Sequence, residues 1–428
     1  MPRVLLLIPS ASYRAADFLD AAARIGVEVV VGSDGQQALE ALHPGCALRV
    51  DLAHPERGTE QVVRFAGSNP LAAIVAVDDG GAVVAALASR QLGLPHHPVH
   101  AVRATRNKYL MRERMVESDV PSPHFHLLRL DGDARRAASE VRLPAVLKPL
   151  SLSGSRGVIR ADDPEGFAAA FERVRRLLRD PSVAGECGEP PRELLVEDYI
   201  PGDEVSLEGL LLAGRLTTLA LFDKPDPLVG PFFEETIYVT PSRLPPAQQA
   251  LVIDTAERAA RALGLRDGPV HAELRVNERG AWPVDIAARS IGGLCSRTLS
   301  FGTGLSLEEI ILRHAVGAPI TSLKRESAAA GVMMIPIPAA GVLREVRGVA
   351  EAEAVPSVVG VTISIRRGQP VVPLPEGSEY LGFILARGTT PAAVEAALRA
   401  AHARLRFEIE APREGAPLAF MPGRPRSD

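Results

Sequence analysis

The chain has 428 residues, 46% of them hydrophobic and 23% charged, with 48 basic against 52 acidic side chains and a net charge of −4. That length suggests about two to four domains with sizeable cores, and the near-neutral balance speaks against a nucleic acid held in a basic groove. Three scattered cysteines, Cys46, Cys187 and Cys295, form neither a disulfide framework nor a zinc cluster and fit a reducing cytoplasm.

The apolar run at residues 4–8 reads as a buried parallel strand and is too short for a secretory leader. A polar turn at 9–12 leads into an amphipathic helix that Gly26 ends, and residues 27–31 repeat the strand signal. A third strand over 72–77 runs into Asp78-Asp79-Gly80-Gly81 and a helix over 82–91. Strands alternating with helices predict a parallel α/β sheet, so the loops at 9–12 and 78–80 face a cleft beyond the strand ends. No GxGxxG follows the first strand, which removes the usual dinucleotide fingerprint. His96, His97 and His100 read as part of a turn rather than as a metal site.

A helix over 106–117 follows, and Pro121 and Pro123 force an extended exit from it. Residues 145–148 form a short strand ending on Lys148, before the small-residue loop Ser151-Leu152-Ser153-Gly154-Ser155-Arg156-Gly157. A helix covers 167–178, residues 180–191 read as a polar surface loop, and 194–197 as a strand. Residues 205–212 and 216–221 pair across Ala213-Gly214-Arg215. The stretch 222–246, rich in Pro and charge, is an excursion over a cleft or over the surface. A helix at 247–263, strands at 270–276 and 281–286 and a helix at 307–316 complete this part. Beyond residue 325 a separate small α/β unit is expected, with strands near 330–335, 360–366 and 381–386 and a helix over 392–406. The longest apolar stretch, 328–343, is interrupted by Pro336 and Pro338 and falls short of a membrane span.

Glu273 and Asp285 carry the most chemical information. Residues 271, 273, 275 and 277 alternate with apolar ones, so their side chains share one face of a strand. A three-residue hairpin loop, Glu278-Arg279-Gly280, would set Glu273 opposite Asp285, whereas a two-residue loop would send them to opposite faces. Carboxylates held that close need a proton or a cation, and Mg²⁺ accepts few protein carboxylates beside phosphate and water. The bland reading is a solvent-facing hairpin with scattered charge. Lys148, at a strand end beside a Ser/Gly loop, can reach phosphate oxygens, although the loop lacks the P-loop pattern. Arg289, before Ser290-Ile291-Gly292-Gly293, offers a fork for a carboxylate or phosphate. His271 is either a partner of the carboxylates or a plain strand residue.

Taken in order, these segments resemble the ATP-grasp superfamily, and within it the carboxylate–amine ligases typified by L-amino-acid ligases, over roughly residues 1 to 390. The resemblance implies an α/β ATP-grasp fold with an N-terminal parallel α/β domain (1–100), a nucleotide-binding domain (101–325, its lid about 141–200), a small C-terminal α+β domain (326–415) and a disordered tail (416–428). Ala104-Thr105-Arg106-Asn107-Lys108 looks like the approach to the first nucleotide lysine, and Leu143-Pro144-Ala145-Val146-Leu147-Lys148-Pro149 like the strand of the second. By the same likeness Ser153, Gly154 and Ser155 belong to a lid over the phosphates. Glu197, Tyr199 and Ile200 meet adenine, and Glu204 takes the ribose hydroxyls in competition with Asp203. Glu273 and Asp285 fall on the metal carboxylates and Arg289 on the catalytic arginine, while Glu235, His271, Gly292 and Gly293 fall on the substrate side. Two departures stand out: Asp285 replaces the usual Glu, and Ala287 stands where an Asn oxygen ligand is common.

The implied reaction is ATP-dependent amide formation. ATP with Mg²⁺ (Mn²⁺ as the alternative ion) turns a carboxylate into an acyl phosphate, an amino-acid amine displaces phosphate, and ADP is released, with Arg289, Lys148 and Glu273 in the catalytic roles. The partners implied are small-molecule carboxylates and amines in a cytoplasmic homodimer, with no nucleic acid and no membrane. The alternatives are a biotin-carboxylase-like or purine-type ligase of the same superfamily, or a non-catalytic nucleotide-binding module, which Ala287 favours.

Overall fold

A computed structural model describes residues 1–10, 12, 14–35, 46–188 and 190–411. Residues 416–428, expected as a tail, lie outside the described residues.

The N-terminal strands β1 (Arg3–Leu7), β2 (Glu28–Ser33), β3 (Ala47–Arg49) and β4 (Ala73–Ala76) form a parallel sheet in the order β3-β2-β1-β4. Val4, Leu5, Leu6 and Leu7 are fully buried because helices cover both faces. The short strand β3 and the helix Pro55–Ala66 carried no clear signal in the sequence. The helix Asp79–Leu92 starts at the C-terminal end of β4, which sets Asp79 at the mouth of the cleft.

Next, β5 (Phe125–Arg129), β6 (Ala145–Pro149), β7 (Ile159–Ala161) and β8 (Glu193–Asp198) form an antiparallel sheet, ordered β5-β8-β6-β7. The helix Pro164–Arg179 closes its core through Phe167, Phe171 and Val174. Two sequence expectations change here. The helix expected over 106–117 starts two residues later, at Lys108, because the Asn107 side chain accepts from the Tyr109 and Leu110 N–H groups and caps it there. The polar stretch 180–191 contains the helix Pro181–Glu186, capped by Asp180.

The third sheet has eight strands: β9 (Asp203–Leu212), β10 (Arg215–Asp223), β11 (Ile237–Thr240), β12 (Gly268–Asn277), β13 (Gly280–Ala287), β14 (Ala329–Ile335) and, after β15 (Gly341–Arg347), β16 (Val358–Ile363) and β18 (Gly382–Gly388). Its order is β13-β12-β9-β10-β11-β14-β18-β16. The C-terminal α+β domain therefore grows on the central sheet instead of standing apart, with β11 and β14 as the seam. In that domain β15, with β17 (Pro370–Val371) and β19 (Arg406–Glu410), forms a sheet of its own; the helix expected over 392–406 runs from Pro391 to His402, and β19 follows it. Ile237 and Val239 lie in the same core as Ile384, Val394 and Leu398, so the excursion after β10 is anchored at its far end. Among the described residues no helix is long and apolar enough to cross a membrane.

Candidate active site

A cavity of about 430 Å³ opens between the β5–β8 sheet and the eight-stranded sheet, and the lysines, carboxylates, loop residues and Arg289 that the sequence put forward for nucleotide, metal and substrate line it, whereas Asp203, the competitor for the ribose, is exposed and does not. Glu273 faces Asp285 across β12 and β13, by a route the sequence concealed. The hairpin loop has two residues, since Asn277 pairs with Gly280, and that register alone would place the carboxylates on opposite faces. A β-bulge between Glu273 and Leu274 on the ladder inserts one residue on β13 and restores the pairing. Gly280 closes the turn at φ 133°, where a side chain would be strained.

One half of the cavity is built for negative charge. Lys148, next to last in β6, sets its ammonium against Glu197 of β8. Arg112 grips the same carboxylate with both arms, at 2.9 and 3.2 Å. Burial alone would raise the Glu197 carboxyl, but Arg112 and Lys148 outweigh it and hold it at about 2. The Glu197 carboxylate thus serves the lysine and arginine. Lys108 donates to the Leu152 carbonyl at 2.7 Å and Arg106 to the Ser151 carbonyl at 2.8 Å, which draws the glycine loop over the cavity. Burial pushes the Lys108 ammonium down, Asp285 supports it, and Arg106 and Lys148 oppose it, so these groups converge. In the loop, Gly157 has φ +73°, and a Cβ there would meet the Pro149 ring at 2.6 Å. The guanidinium groups of Arg160 (4.0 Å) and Arg275 (5.0 Å) lie against the Tyr199 ring, near the apolar slot of Val146, Ile200, Leu228 and Val284.

The other half is acidic. Glu204, Glu235 and Glu273 bring oxygens within 4.8 Å of one another. The buried Lys224 ammonium sits among them, 2.7 Å from Glu204 and 3.0 Å from Glu273 and in contact with Glu235. Burial, then the charge of Glu273, pushes the Glu235 carboxyl up. For Glu273, Lys224 and His271 overcome burial and hold it well down. His271 reaches Glu208 at 3.2 Å and Glu273 at 3.6 Å; burial would lower its pKa, but the hydrogen bonds to Glu208 and Glu273 raise it. Glu208, with no solvent exposure, also accepts the Ile291 N–H at 2.9 Å and so fixes the strand exit before Gly292 and Gly293. Arg289 donates to Asp79 and to the Ser290 carbonyl, both at 2.9 Å, and its buried Nε has no partner among the described residues. Asp79 is held far below the usual carboxylate range, chiefly by Arg289 and Arg106 against its burial.

The donor chemistry fits a hard divalent cation. Glu273 and Asp285 offer carboxylate oxygen from adjacent strands, as Mg²⁺ or Mn²⁺ requires. The centre of the Glu204–Glu235–Glu273 cluster already holds Lys224, so the ladder pair is the better place for such an ion. Ala287 pairs with His271 and brings no side-chain oxygen.

Sequence reasoning missed Arg112, Glu208 and Arg275, and it set Asp79 on a cleft-facing loop without giving it a partner. Glu208 left one trace, a lone acid inside the apolar run 205–212, which a buried strand tolerates only with a partner. Arg275 shared the polar face of β12 and now binds Glu204 at 3.0 Å and the Ile200 carbonyl at 2.6 Å.

Two sheets gripping a cleft, with two lysines and a glycine loop on one side and a carboxylate ladder on the other, define a nucleotide-dependent ligase of the ATP-grasp kind. Comparison with known proteins agrees. The ATP-grasp domain matches residues 141–298, the ATP-grasp N-terminal domain 19–96, and the L-amino acid ligase C-terminal domain 2 residues 333–410. The alanine–anticapsin ligase of Bacillus subtilis is 28% identical over 271 residues, 60% of this chain and 56% of that enzyme. Human carnosine synthase 1 is 29% identical over 229 residues, 50% of this chain but 27% of the human one. The crystal structure of an L-amino acid ligase from Bacillus licheniformis superimposes with a TM-score of 0.80 at 23% identity, over 96% of this chain and 99% of that one. The chain belongs to the ATP-grasp superfamily, in its carboxylate–amine ligase group.

Proposed function

We propose that this ATP-dependent carboxylate–amine ligase joins an amino acid, or a small carboxylate, to the amine of an amino acid through an acyl phosphate. The observation that carries the reading is the division of one cavity into a cationic half around Lys108 and Lys148 and an acidic half around Glu235 and Glu273. Relatives named as an alanine–anticapsin ligase and as carnosine and dapdiamide A synthases support amino-acid-derived substrates.

A carboxylate resists an amine because its oxygen is a poor leaving group; phosphorylation supplies a good one. Lys108 and Lys148 would face the triphosphate and offset charge on the phosphoryl group in transit. Tyr199, Ile200 and the backbone that links β8 to β9 would hold adenine, with Glu204 near the ribose. Mg²⁺, held by Glu273 and Asp285, would supply further neutralisation of phosphate charge. Arg289, aimed by Asp79 and the Ser290 carbonyl, would steady the substrate carboxylate and the oxyanion that develops on amine attack. Glu235, together with His271, would receive the amine, whose ammonium form suits an acidic wall. The closed loop at Ser153, Gly154 and Ser155 would keep water from the acyl phosphate.

The test is a screen of amino-acid pairs with ATP and Mg²⁺, measuring ADP release and product mass. Pair-dependent ADP release with a product lighter than its substrates by one water is expected. ATP binding without turnover for every pair would defeat the reading.

A further inference from the structure

The lid and the C-terminal domain are joined by contacts that the reaction itself does not require. The Glu376 carboxylate is held by both arms of Arg173, one at 2.8 Å, and Arg173 lies on the lid helix Pro164–Arg179. The backbone of the segment that carries Glu376, a strap over residues 375–380, adds two more bonds. The Glu376 carbonyl accepts from Arg156 Nε at 2.8 Å, and the Pro375 carbonyl accepts the Gly157 N–H at 2.8 Å. Arg156 and Gly157 belong to the glycine loop, and Gly154 approaches Ser378 closely enough that a Cβ would lie 3.3 Å from it. A few residues on, Tyr380 lines the cavity with Ser378, and burial, then the charge of Glu235, pushes its phenol far up. On its other side the loop is tied to Arg106 and Lys108. The loop is therefore clamped between the nucleotide side and a strap whose end reaches the acidic half.

We propose that Arg173 and Glu376 form a clasp that holds the lid closed on the C-terminal domain, so that ATP cleavage stays coupled to amide formation. Arg173 and Glu376 are positioning residues: neither lines the cavity, and they act through Arg156, Gly157 and the loop. The geometry gives the reason. Opening the lid from the body must break the bidentate pair and the two strap carbonyl bonds together. While they hold, water stays away from the acyl phosphate, which it would otherwise hydrolyse to free carboxylate and phosphate. The inference rests on the acyl-phosphate reading for its catalytic consequence and on geometry alone for the closure.

The experiment compares full-length wild type with Arg173→Ala, Glu376→Gln and the exchanged pair Arg173→Glu/Glu376→Arg. First, amide formed per ADP released is measured with the best substrate pair. The single variants are expected to keep ADP release within about three-fold while the product-to-ADP ratio falls at least three-fold, and the exchanged pair is expected to recover most of the ratio. Unchanged ratios in both single variants, or a loss the exchanged pair does not relieve, would overturn the clasp. Second, hydrogen exchange at residues 151–157 is followed with ADP and Mg²⁺ present. Arg173→Ala is expected to speed exchange there at least five-fold; equal rates would overturn the clasp even if no amide product is ever found, an outcome that would count separately against the ligase reading.

Discussion

The two halves of the cavity handle charge in opposite ways. Around Lys148 a single buried acid, Glu197, meets two cations, Arg112 and Lys148. Around Lys224 a single ammonium meets three acids, Glu204, Glu235 and Glu273. One half is short of negative charge and the other is short of positive charge. Each deficit predicts what comes: phosphate oxygens to the first, a divalent cation and an ammonium to the second. Neither half would be stable as charge alone, because a buried ion needs partners. The protein supplies enough partners to fold and leaves the remainder for ligands.

The comparison breaks first at Glu273. Glu273→Gln keeps the shape of the side chain but removes its charge, and ligation is expected to fall on the order of 10³-fold, with a melting temperature within a few degrees of wild type. Steady-state rates and thermal melts check this, and activity within ten-fold of wild type would count against the acidic half. Lys224→Met leaves Glu235 without its cation, and Glu204 and Glu273 with only Arg275 and His271, and is expected to cost about 3 kcal/mol of stability. That loss should shrink on acidification, because the stranded carboxylates take up protons, so denaturation at pH 8 and pH 6 reads the sign.

His97 serves as a control outside both halves. Burial lowers its pKa from 6.5 to about 4, and its Nδ1 accepts the Arg266 and Asp267 N–H groups at 3.2 and 3.3 Å. A histidine whose folded pKa is depressed contributes fully above its unfolded value and loses that contribution as pH falls. About 3 kcal/mol should therefore be lost between pH 6.5 and pH 4, and His97→Gln should flatten that slope in urea titrations. The cationic half is sharpened by Lys148→Ala, expected to weaken ATP binding by about 10- to 100-fold in calorimetry. Arg112 remains to hold Glu197, so the fold should survive.

Local pattern made much of this legible. Runs of apolar residues marked β1 and β6, and alternation from residue 271 to 277 marked the wet face of β12. What stayed hidden depends on contacts distant in the chain. The bulge that rescues the Glu273–Asp285 register has no composition of its own, so the sequence reached the right pairing from the wrong loop length. That β14 continues the sheet through β11 involves Ile237 and Met333, almost a hundred positions apart, and no periodicity reports such a partner. Lys224 and Glu235 stood in a stretch read as an excursion over a cleft or over the surface, where only the resemblance marked Glu235, and packing turns both inward. Arg112 looked like one more polar residue on a helix whose first turn drew attention, yet it is among the most buried side chains.

Oxygen transfer tests the acyl-phosphate route most directly. A carboxylate substrate labelled with ¹⁸O is ligated with ATP, and the released phosphate is weighed. The account predicts ADP, an amide, and one labelled oxygen in each phosphate, because the carboxylate oxygen that is phosphorylated leaves with it. Unlabelled phosphate, or AMP with pyrophosphate, would contradict it.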